Sequence, residues 1–396
     1  MHEAKTSKVP LEQSFLPGRK VIALQRAASH PIEARLRREV EGDVYFDAAA
    51  RGRYATDASI YQIMPVGVVV PKTARAARIA VQIAAEAGVP ILPRGAGTSQ
   101  CGQSVGAALV IDNSKWLNQI VSFDQEAMRV VVQPGIVLDQ LNAWLKRYEL
   151  WYPVDVSTSA QATLGGMAGN NSCGSRSIAY GNMVHNVNAI DALLPSGELL
   201  HCGPVPRNVR EVTGTQRYKE LSLLSRQLWE REQTEIAARF PKLLRRVAGY
   251  NLDFLAPDVH NMARLLVGSE GTLAYFERLH LQLSPLPQHK VLGVCHFPRF
   301  YDAMDAAQHI VKLQPTAVEL VDRTMIELSR ESDTFRATVD RFLQGEPDAI
   351  LLVEFAGDDS AENARRLKQL AALLADLRFP GSVVQIVDAK LQREVW

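Results

Sequence analysis

One stretch, residues 153–181, limits what this chain can fold into more than any other. It reads PVDVSTSAQATLGGMAGNNSCGSRSIAYG, in which five glycines alternate with small polar residues. The run is too apolar for a disordered linker and too rich in glycine for the interior of a helix or strand. Glycine allows backbone conformations closed to other residues and lets the main chain approach a ligand closely. The stretch predicts either a set of buried tight turns or, as we favour, a backbone cradle for a ligand.

A second glycine-bearing loop follows a predicted strand–helix–strand unit, which is typical of an α/β layer. The unit comprises a strand at residues 66–70, a helix with an apolar stripe from Ala77 to Ala87, and a strand at residues 89–92. The loop itself reads PRGAGTSQCGQS, residues 93–104. Such a loop can direct several backbone N–H groups at a phosphate. It is neither a Walker loop nor a Rossmann fingerprint, since the spacing differs from both, and an ordinary surface turn stays open.

Two further stretches contain candidate functional residues. Residues 245–252 read RRVAGYNL, and residues 265–273 read LLVGSEGTL, a third glycine turn between apolar runs. Paired arginines beside a glycine turn and a tyrosine can hold a carboxylate, because guanidinium binds carboxylate in a bidentate manner. Five histidines are possible bases by residue type, although none lies in a recognisable motif: His185, His201, His260, His289 and His296.

Composition excludes several classes of protein. The net charge is +1, which gives no electrostatic reason to expect a nucleic-acid partner. Four cysteines are widely spaced without a CxxC pair, which argues against a disulfide framework and against a zinc or iron–sulfur site, so we expect no metal in this chain. The first residues lack the apolar core of a signal peptide, and no apolar run reaches the ~20 residues of a membrane helix. We expect a soluble protein of a reducing compartment.

The 396 residues allow two or three domains. Residues 1–42 form an N-terminal extension with a basic, helical segment at residues 32–40, and the first domain covers residues 43–287. Residues 204–247 are polar and helical in pattern, which predicts a solvated helical insertion, with a docking surface as the alternative. After the connector Pro285-Leu286-Pro287, alternating strand and helix patterns predict a separate α/β region over residues 288–396. This region stops inside a predicted helix, so we interpret it as incomplete.

The three glycine-bearing loops, in this order, resemble the FAD-binding domain of the vanillyl-alcohol oxidase / p-cresol methylhydroxylase (PCMH) superfamily. PRGAGTS is similar to its pyrophosphate loop, PVDVSTSAQATLGGMAGNNSCGS to its second flavin-contacting stretch and GSEGT to the turn that closes the flavin site. RRVAGYNL before GSEGTL resembles the branch that contains glycolate oxidase, D-lactate dehydrogenase and D-2-hydroxyglutarate dehydrogenase. NNSCG is similar to large fused dehydrogenases that carry a flavin half and an iron–sulfur half. The resemblance covers roughly residues 43–387.

The resemblance implies an α+β chain: a two-subdomain, PCMH-type FAD-binding fold followed by an α/β, ferredoxin-like substrate cap. It also implies non-covalent FAD, because a non-histidine residue, near Ser99, stands where covalent members place the flavin-linking histidine; Cys173 is expected to be a free thiol rather than a flavin thioether. The cofactor-binding residues that it implies are Arg94, Gly95, Ala96, Gly97, Thr98, Ser99, Gly102, Gln103, Pro153, Asp155, Thr163, Gly165, Gly166, Asn170, Ser172, Gly174, Ser175, Tyr180, Gly181, Ile190, Glu270 and Gly271.

The activity that the resemblance implies is the oxidation of a D-2-hydroxy acid of the D-2-hydroxyglutarate, D-lactate or glycolate type. Arg246 and Tyr250 would face the substrate carboxylate, and Glu319 would lie in a strand of the cap. The family's HxGDGNxH motif and its iron–sulfur cysteine clusters are absent from these residues, so we expect such a cluster only in a longer natural chain.

Two alternatives stay open: a non-redox transferase of the alkyl-dihydroxyacetonephosphate synthase type, and a non-catalytic FAD-binding fragment. For an oxidoreductase of this kind, the expected partners are the 2-hydroxy acid and a downstream electron acceptor, namely a quinone, a cytochrome or an iron–sulfur domain. The expected location is the cytoplasm, with peripheral attachment to the inner membrane as a further option.

Overall fold

The computed structural model describes residues 30–243, 245–247 and 249–396, and the remainder of the predicted N-terminal extension lies outside the described residues. The predicted α+β class is confirmed, because the chain contains both helices and several separate β-sheets. Short 3-10 turns lie at Lys146–Tyr148, Val209–Glu211, Leu252–Leu255 and Val311–Leu313.

The first layer is a four-stranded sheet with helices against it. Its strands are β1 (Gly42–Tyr45), β2 (Gly67–Pro71), β3 (Ile91–Arg94) and β4 (Leu109–Asp112), and its helices are α1 (Glu33–Glu39), α2 (Ala48–Arg53) and α3 (Ala74–Glu86). The strand order is β1-β2-β4-β3; β4 is parallel to both β2 and β3, and β1 is antiparallel to β2. The predicted strand–helix–strand unit is confirmed.

Helices α1 and α3 pack into one core. The Thr73 hydroxyl caps α3 by accepting a hydrogen bond from the Ala76 N–H. Of the predicted apolar stripe, Ala77, Ala80, Val81 and Ala84 are buried, whereas Ala87 at the C-cap is exposed. The predicted helix at residues 32–40 is confirmed as α1, whose Leu36 is completely buried in the same core. The described end of the predicted extension is therefore part of this layer.

The second layer is a five-stranded antiparallel sheet of order β5-β6-β10-β8-β9. The strands up to β10 are β5 (Ile120–Asp124), β6 (Arg129–Val132), β7 (Leu150–Trp151), β8 (Val187–Leu193), β9 (Leu199–Cys202) and β10 (Tyr275–Gln282), and β7 pairs separately with β11 (Ser284–Pro285). The helices of this part are α4 (Leu138–Leu145), α5 (Leu164–Asn170), α6 (Ser177–Tyr180), α7 (Met183–Asn186), α8 (Gln216–Arg239) and α9 (Met262–Leu266).

The second layer packs against the first layer through residues of β8 and β10. Leu193 of β8 and Tyr275 of β10 pack into the core of the first layer, and the Tyr275 hydroxyl donates to Asn113 Oδ1 at 2.7 Å, just beyond β4. Hydrophobic burial and a buried hydrogen bond thus hold the two sheets together.

Helix α8 forms the predicted helical insertion at residues 204–247, although it begins only at Gln216. Its sequence is polar, yet Tyr218 and Ile236 are buried and anchor it to the domain. No helix in the described chain combines the length and the apolar character required to cross a membrane.

The third layer, from residue 289 onward, is the predicted ferredoxin-like cap. Its elements are β12 (His289–Phe297), α10 (Phe300–Ile310), β13 (Ala317–Asp322), α11 (Arg323–Glu331), α12 (Arg336–Val339), β14 (Ala349–Gly357), α13 (Ser360–Asp376), β15 (Val383–Ile386) and α14 (Ala389–Val395). The order β13-β14-β12-β15, with all neighbours antiparallel, is that of a βαββαβ unit. The helix predicted over residues 325–343 is split, because the turn-favouring residues Ser332 and Asp333 interrupt it.

Candidate functional site

A cleft of about 440 Å³ lies where the first two layers meet. Three glycine-bearing segments far apart in sequence form its wall: the loop after β3, the segment around α5, and the turn before β10. Of the predicted cofactor-binding residues, the lining contains Arg94, Gly95, Ala96, Gly97, Thr98, Ser99, Gln103, Thr163, Gly165, Gly166, Asn170, Ser172, Glu270 and Gly271.

The loop after β3 presents its backbone to this cleft. Arg94 is buried and its guanidinium donates to the backbone carbonyls of Tyr54, Thr56 and Ser104, which fixes the start of the loop. The backbone N–H groups of residues 95–99 donate no hydrogen bond to any other described residue. Gly97 has a φ of +69°, a conformation that favours glycine. These free donors form the part of the cleft best suited to an anionic group.

The second segment begins at Thr163, directly before α5. Its Oγ1 is buried and has no hydrogen-bond partner among the described residues. A Cβ at Gly95 would lie 2.0 Å from this oxygen, so glycine permits the close approach of the two segments. Gln103 Oε1, on the first loop, is likewise buried without a partner in the described chain. Buried polar atoms that lack partners indicate that a polar ligand completes their hydrogen bonding.

Glu270 joins the three segments. Its Oε1 accepts hydrogen bonds from Asn170 Nδ2 at 2.9 Å and from Gln103 Nε2 at 3.3 Å. Burial raises the pKa of Glu270, and the two amide donors partly oppose this shift because they stabilise the carboxylate. Residue 270 has a φ of +51° and Gly271 follows with +74°, which forms the tight turn that directs the carboxylate to the cleft.

The other predicted cofactor-binding residues lie outside the lining. Gly181 ends helix α6, and Ser175 donates a hydrogen bond to Asp155, whereas Ile190 is fully buried in the core of the second layer. Their assignment stays a prediction. They are Gly102, Pro153, Asp155, Gly174, Ser175, Tyr180, Gly181 and Ile190.

The two candidates for the substrate carboxylate also lie outside the lining. Arg246 donates to Asp253 Oδ1 at 2.6 Å and packs over the Phe240 ring, and the Tyr250 hydroxyl is hydrogen-bonded to Thr272 Oγ1 at 2.8 Å. Arg245 instead lines the cleft, and its Nε donates to Cys173 Sγ at 2.8 Å. Of the two adjacent arginines, Arg245 therefore lines the cleft, and the predicted Arg246 does not.

A buried ionic cluster lies beside the cleft, at the contact between the second layer and the cap. Arg176 forms two hydrogen bonds of 2.8 Å with Glu354 of β14 and one of 3.0 Å with Asp155. Ser175 also donates to Asp155, and Lys290 Nζ lies 3.9 Å from Glu354. Sequence reasoning missed Arg176 and Glu354, since no spacing connects residues so far apart.

Family models match both parts of the chain. An FAD binding domain matches residues 65–203, and the C-terminal domain of FAD linked oxidases matches residues 286–396. The chain belongs to the FAD-linked oxidases. These two matches confirm the predicted resemblance to PCMH-type FAD-binding proteins and the expected cofactor, FAD. The N–H groups of residues 95–99 and Thr163 Oγ1, which have no hydrogen-bond partner among the residues that the structure describes, fit a polar, phosphate-bearing cofactor.

Curated relatives share most of this FAD-linked oxidase chain. It is 35% identical over 348 residues to the D-2-hydroxyglutarate dehydrogenase of Pantoea ananatis, and 32% identical over 349 residues to that of Escherichia coli; each alignment covers 85% of this chain and 34% of the relative. The glycolate oxidase subunit GlcD of Bacillus subtilis is 30% identical over 299 residues, which cover 72% of this chain and 52% of the relative. The chain thus spans about a third of the length of the D-2-hydroxyglutarate dehydrogenases.

Solved structures show the same fold. A structure of alkyldihydroxyacetonephosphate synthase superposes with a TM-score of 0.65 over 90% of this chain and 61% of that chain, at 18% identity. At this identity the likeness concerns the fold alone.

Proposed function

We propose that this chain binds FAD and takes part in the oxidation of a D-2-hydroxy acid to the 2-oxo acid. The observation that carries the proposal is the single cleft that the three glycine-bearing segments form around Glu270. Relatives that share these domains at 30–35% identity are named D-2-hydroxyglutarate dehydrogenase, D-lactate dehydrogenase and glycolate oxidase subunit GlcD. These names support oxidation of a D-2-hydroxy acid over the transferase alternative.

The proposed cofactor contacts follow from the lining. The backbone N–H groups of residues 95–99 hold the diphosphate, and Thr163 Oγ1 and Gln103 Oε1 complete their hydrogen bonds with the cofactor. No histidine stands at Ser99, so the cofactor is held without a covalent bond through that position. When bound, FAD supplies the acceptor for the hydride from the substrate's carbon 2.

Arg245 is the proposed anchor of the substrate carboxylate. It is the cleft-lining member of the arginine pair, and its exposed side chain has no ion pair among the described residues. A guanidinium binds a carboxylate through two parallel, charge-assisted hydrogen bonds, which fix the orientation of a small acid. Arg246 is already neutralised by Asp253.

Glu319 of β13 is the proposed acceptor of the hydroxyl proton. Burial raises the pKa of this carboxyl; the nearby charge of Arg245 lowers it and that of Asp155 raises it further. A carboxylate with a raised pKa is a stronger proton acceptor than an ordinary surface glutamate. The charge of Arg245, the proposed carboxylate anchor, acts on Glu319, which supports a position of this carboxyl near the proposed substrate.

A second candidate function is that of an FAD-binding part that does not react with substrate on its own. The observation that favours it is the short coverage, since the chain spans 34% of the first relatives. The electron acceptor, whether quinone, cytochrome or iron–sulfur domain, and the cytoplasmic location stay predictions.

Anaerobic mixing of the FAD-loaded chain with D-2-hydroxyglutarate, D-lactate or glycolate separates the two candidates. Oxidation bleaches the visible flavin band with at least one of these acids. The matched control is the L enantiomer of each chiral acid, which leaves the band unchanged because the substrate hydrogen then faces away from the flavin. An FAD-loaded chain that none of the three acids bleaches is the non-catalytic FAD-binding part.

A further inference from the structure

Three side chains of metal-ligand type meet on one face of the five-stranded sheet. Asp191 lies on β8, with His201 directly opposite on β9. His280 lies on β10 opposite Ala189, which is two residues before Asp191. Because side chains alternate between the faces of a sheet, all three point to the same side. None of them lines the cleft described above.

The distances within this cluster are close to those of a coordination sphere. His201 Nδ1 lies 2.7 Å from Asp191 Oδ1, and His280 Nε2 lies 3.3 Å from Asp191 Oδ2. One ligand atom from each residue lies within 4.8 Å of the other two. A tetrahedral ion with bonds of 2.0–2.2 Å separates its ligands by about 3.4 Å, so movements on the order of 1 Å would suffice.

The hydrogen bonding of the cluster is incomplete without a further partner. His201 and Asp191 are hydrogen-bonded to each other. His280 Nε2 is buried, and its contact of 3.3 Å with Asp191 Oδ2 is not an aligned hydrogen bond in the described part of the chain. A buried ring nitrogen that faces a carboxylate without an aligned hydrogen bond is a feature that a shared ion would explain.

Neighbouring arginines leave the Asp191 carboxylate available. Arg78 of α3 is bound by Glu277 through two hydrogen bonds, which neutralise its charge locally. Arg278 is the register partner of Asp191 on β10, and no ion pair joins the two among the described residues.

We propose that Asp191, His201 and His280 bind one divalent transition-metal ion of the zinc type. Two imidazoles and one carboxylate suit zinc, whereas calcium and magnesium prefer all-oxygen sites. Three protein ligands leave one coordination position for water or an exogenous ligand. The ion joins β8, β9 and β10 from outside the cleft. Its presence is therefore independent of FAD and of the proposed oxidation.

Zinc binding by the FAD-loaded chain, freed of metal by a chelator, tests the proposal. Equilibrium dialysis gives one zinc ion per wild-type chain, and His201→Ala and His280→Ala each weaken the affinity about a hundredfold, because two ligands hold zinc far less tightly than three. The matched control is His289→Ala, which removes an exposed histidine of the cap and leaves zinc binding unchanged. A wild-type chain without bound zinc, or equal binding by His201→Ala and His289→Ala, overturns the proposal.

Asp191→Asn separates loss of the site from loss of the fold, since it preserves the shape of the side chain. FAD content then equals that of the wild type. Zinc raises the melting temperature of the wild type by about 3 °C and leaves that of Asp191→Asn unchanged, because only the intact site binds the ion in the folded state. An equal zinc-dependent rise in both proteins contradicts the assignment.

Discussion

At the scale of single residues, the carboxylate of Glu270 holds the wall of the cleft in place. Replacing Glu270 by alanine removes the acceptor shared by Asn170 and Gln103. Both amides then lose their fixed orientation, and the affinity for FAD falls about 30-fold, since two hydrogen bonds of about 1 kcal/mol each are lost. Titration of the FAD-free chain with FAD, followed by flavin fluorescence, measures the change.

The matched control for this prediction is Glu270→Gln. Both hydrogen bonds end on the same oxygen, Oε1, which a glutamine carbonyl can replace. Its affinity for FAD stays within about twofold of the wild type, since the positive φ at this position is unchanged as well. Equal affinity of the alanine variant and the wild type would show that Glu270 has no such part in the site.

The arginine pair gives a second residue-scale prediction. Arg245→Met weakens the binding of D-2-hydroxyglutarate about 30-fold, because a charge-assisted contact contributes about 2 kcal/mol. The limiting rate of flavin reduction changes much less. Rapid anaerobic mixing over a range of substrate concentrations separates the two quantities.

Two variants serve as controls for the arginine prediction. Lys242→Met removes an exposed cation outside the lining and leaves substrate binding unchanged. Arg246→Met breaks the ion pair with Asp253 and lowers the stability of the protein rather than substrate affinity. If Arg246→Met, and not Arg245→Met, weakens substrate binding, the carboxylate anchor is Arg246, as the sequence predicts.

The sequence predicts the segments that line the cleft better than the individual side chains that enter it. The glycines of PRGAGTS and GSEGT identified two walls of the cleft, because positive φ angles and close backbone approaches leave a mark in the sequence. Arg245 and Arg246 are adjacent and chemically identical, so only the path of the backbone decides which one enters the cleft.

At the scale of elements, His260 anchors the polar helix α8. Arg226 Nη2 donates to His260 Nδ1 at 3.0 Å, so the proton of the neutral ring is on Nε2, which donates to Ser225 Oγ at 3.1 Å. Burial, with the charge of Arg226 as a lesser cause, lowers the pKa of His260 to about 4. The pKa of a histidine in the unfolded chain is about 6.5.

His260 therefore makes stability depend on pH. The neutral His260 ring contributes fully to the free energy of unfolding above the unfolded pKa of about 6.5, and this contribution is lost as the pH falls towards 4. At pH 5 the loss amounts to about 2 kcal/mol relative to pH 7.5. Urea unfolding at both pH values measures it. His260→Gln shows a smaller dependence, whereas His289→Gln, at an exposed position, keeps that of the wild type; equal pH dependence of both variants would exclude this role for His260.

The elements that the sequence predicts are determined by signals that lie within each element. Helix α3 combines a Thr73 cap with an apolar stripe, and both signals lie within the element itself. The Asp191–His201–His280 cluster depends instead on the register of β8 with β9 and β10. Cysteine spacing, on which the expectation of no metal site depended, contains no information about that register.

At the scale of the whole molecule, the contact between the second layer and the cap is ionic and buried. Arg176 and Glu354 have only 12% and 8% of their side chains exposed, and Asp155 completes the cluster. The sequence predicted the cap from its strand and helix pattern and from the resemblance. It did not predict this contact, because the partners lie 178 residues apart and their pairing depends on the docking of two finished folds.

Removing Arg176 tests how much this contact stabilises the molecule. Arg176→Met leaves the buried Glu354 and the partly buried Asp155 without their main counter-ion and lowers the free energy of unfolding by about 3 kcal/mol. The double variant Arg176→Met/Glu354→Leu recovers part of this loss, because it removes a charge that was left unpaired. Urea unfolding measures both variants. Arg341→Met, which breaks the exposed pair with Glu394 within the cap, costs less than about 1 kcal/mol; a loss no larger for Arg176→Met would mean that the cap is held by other contacts.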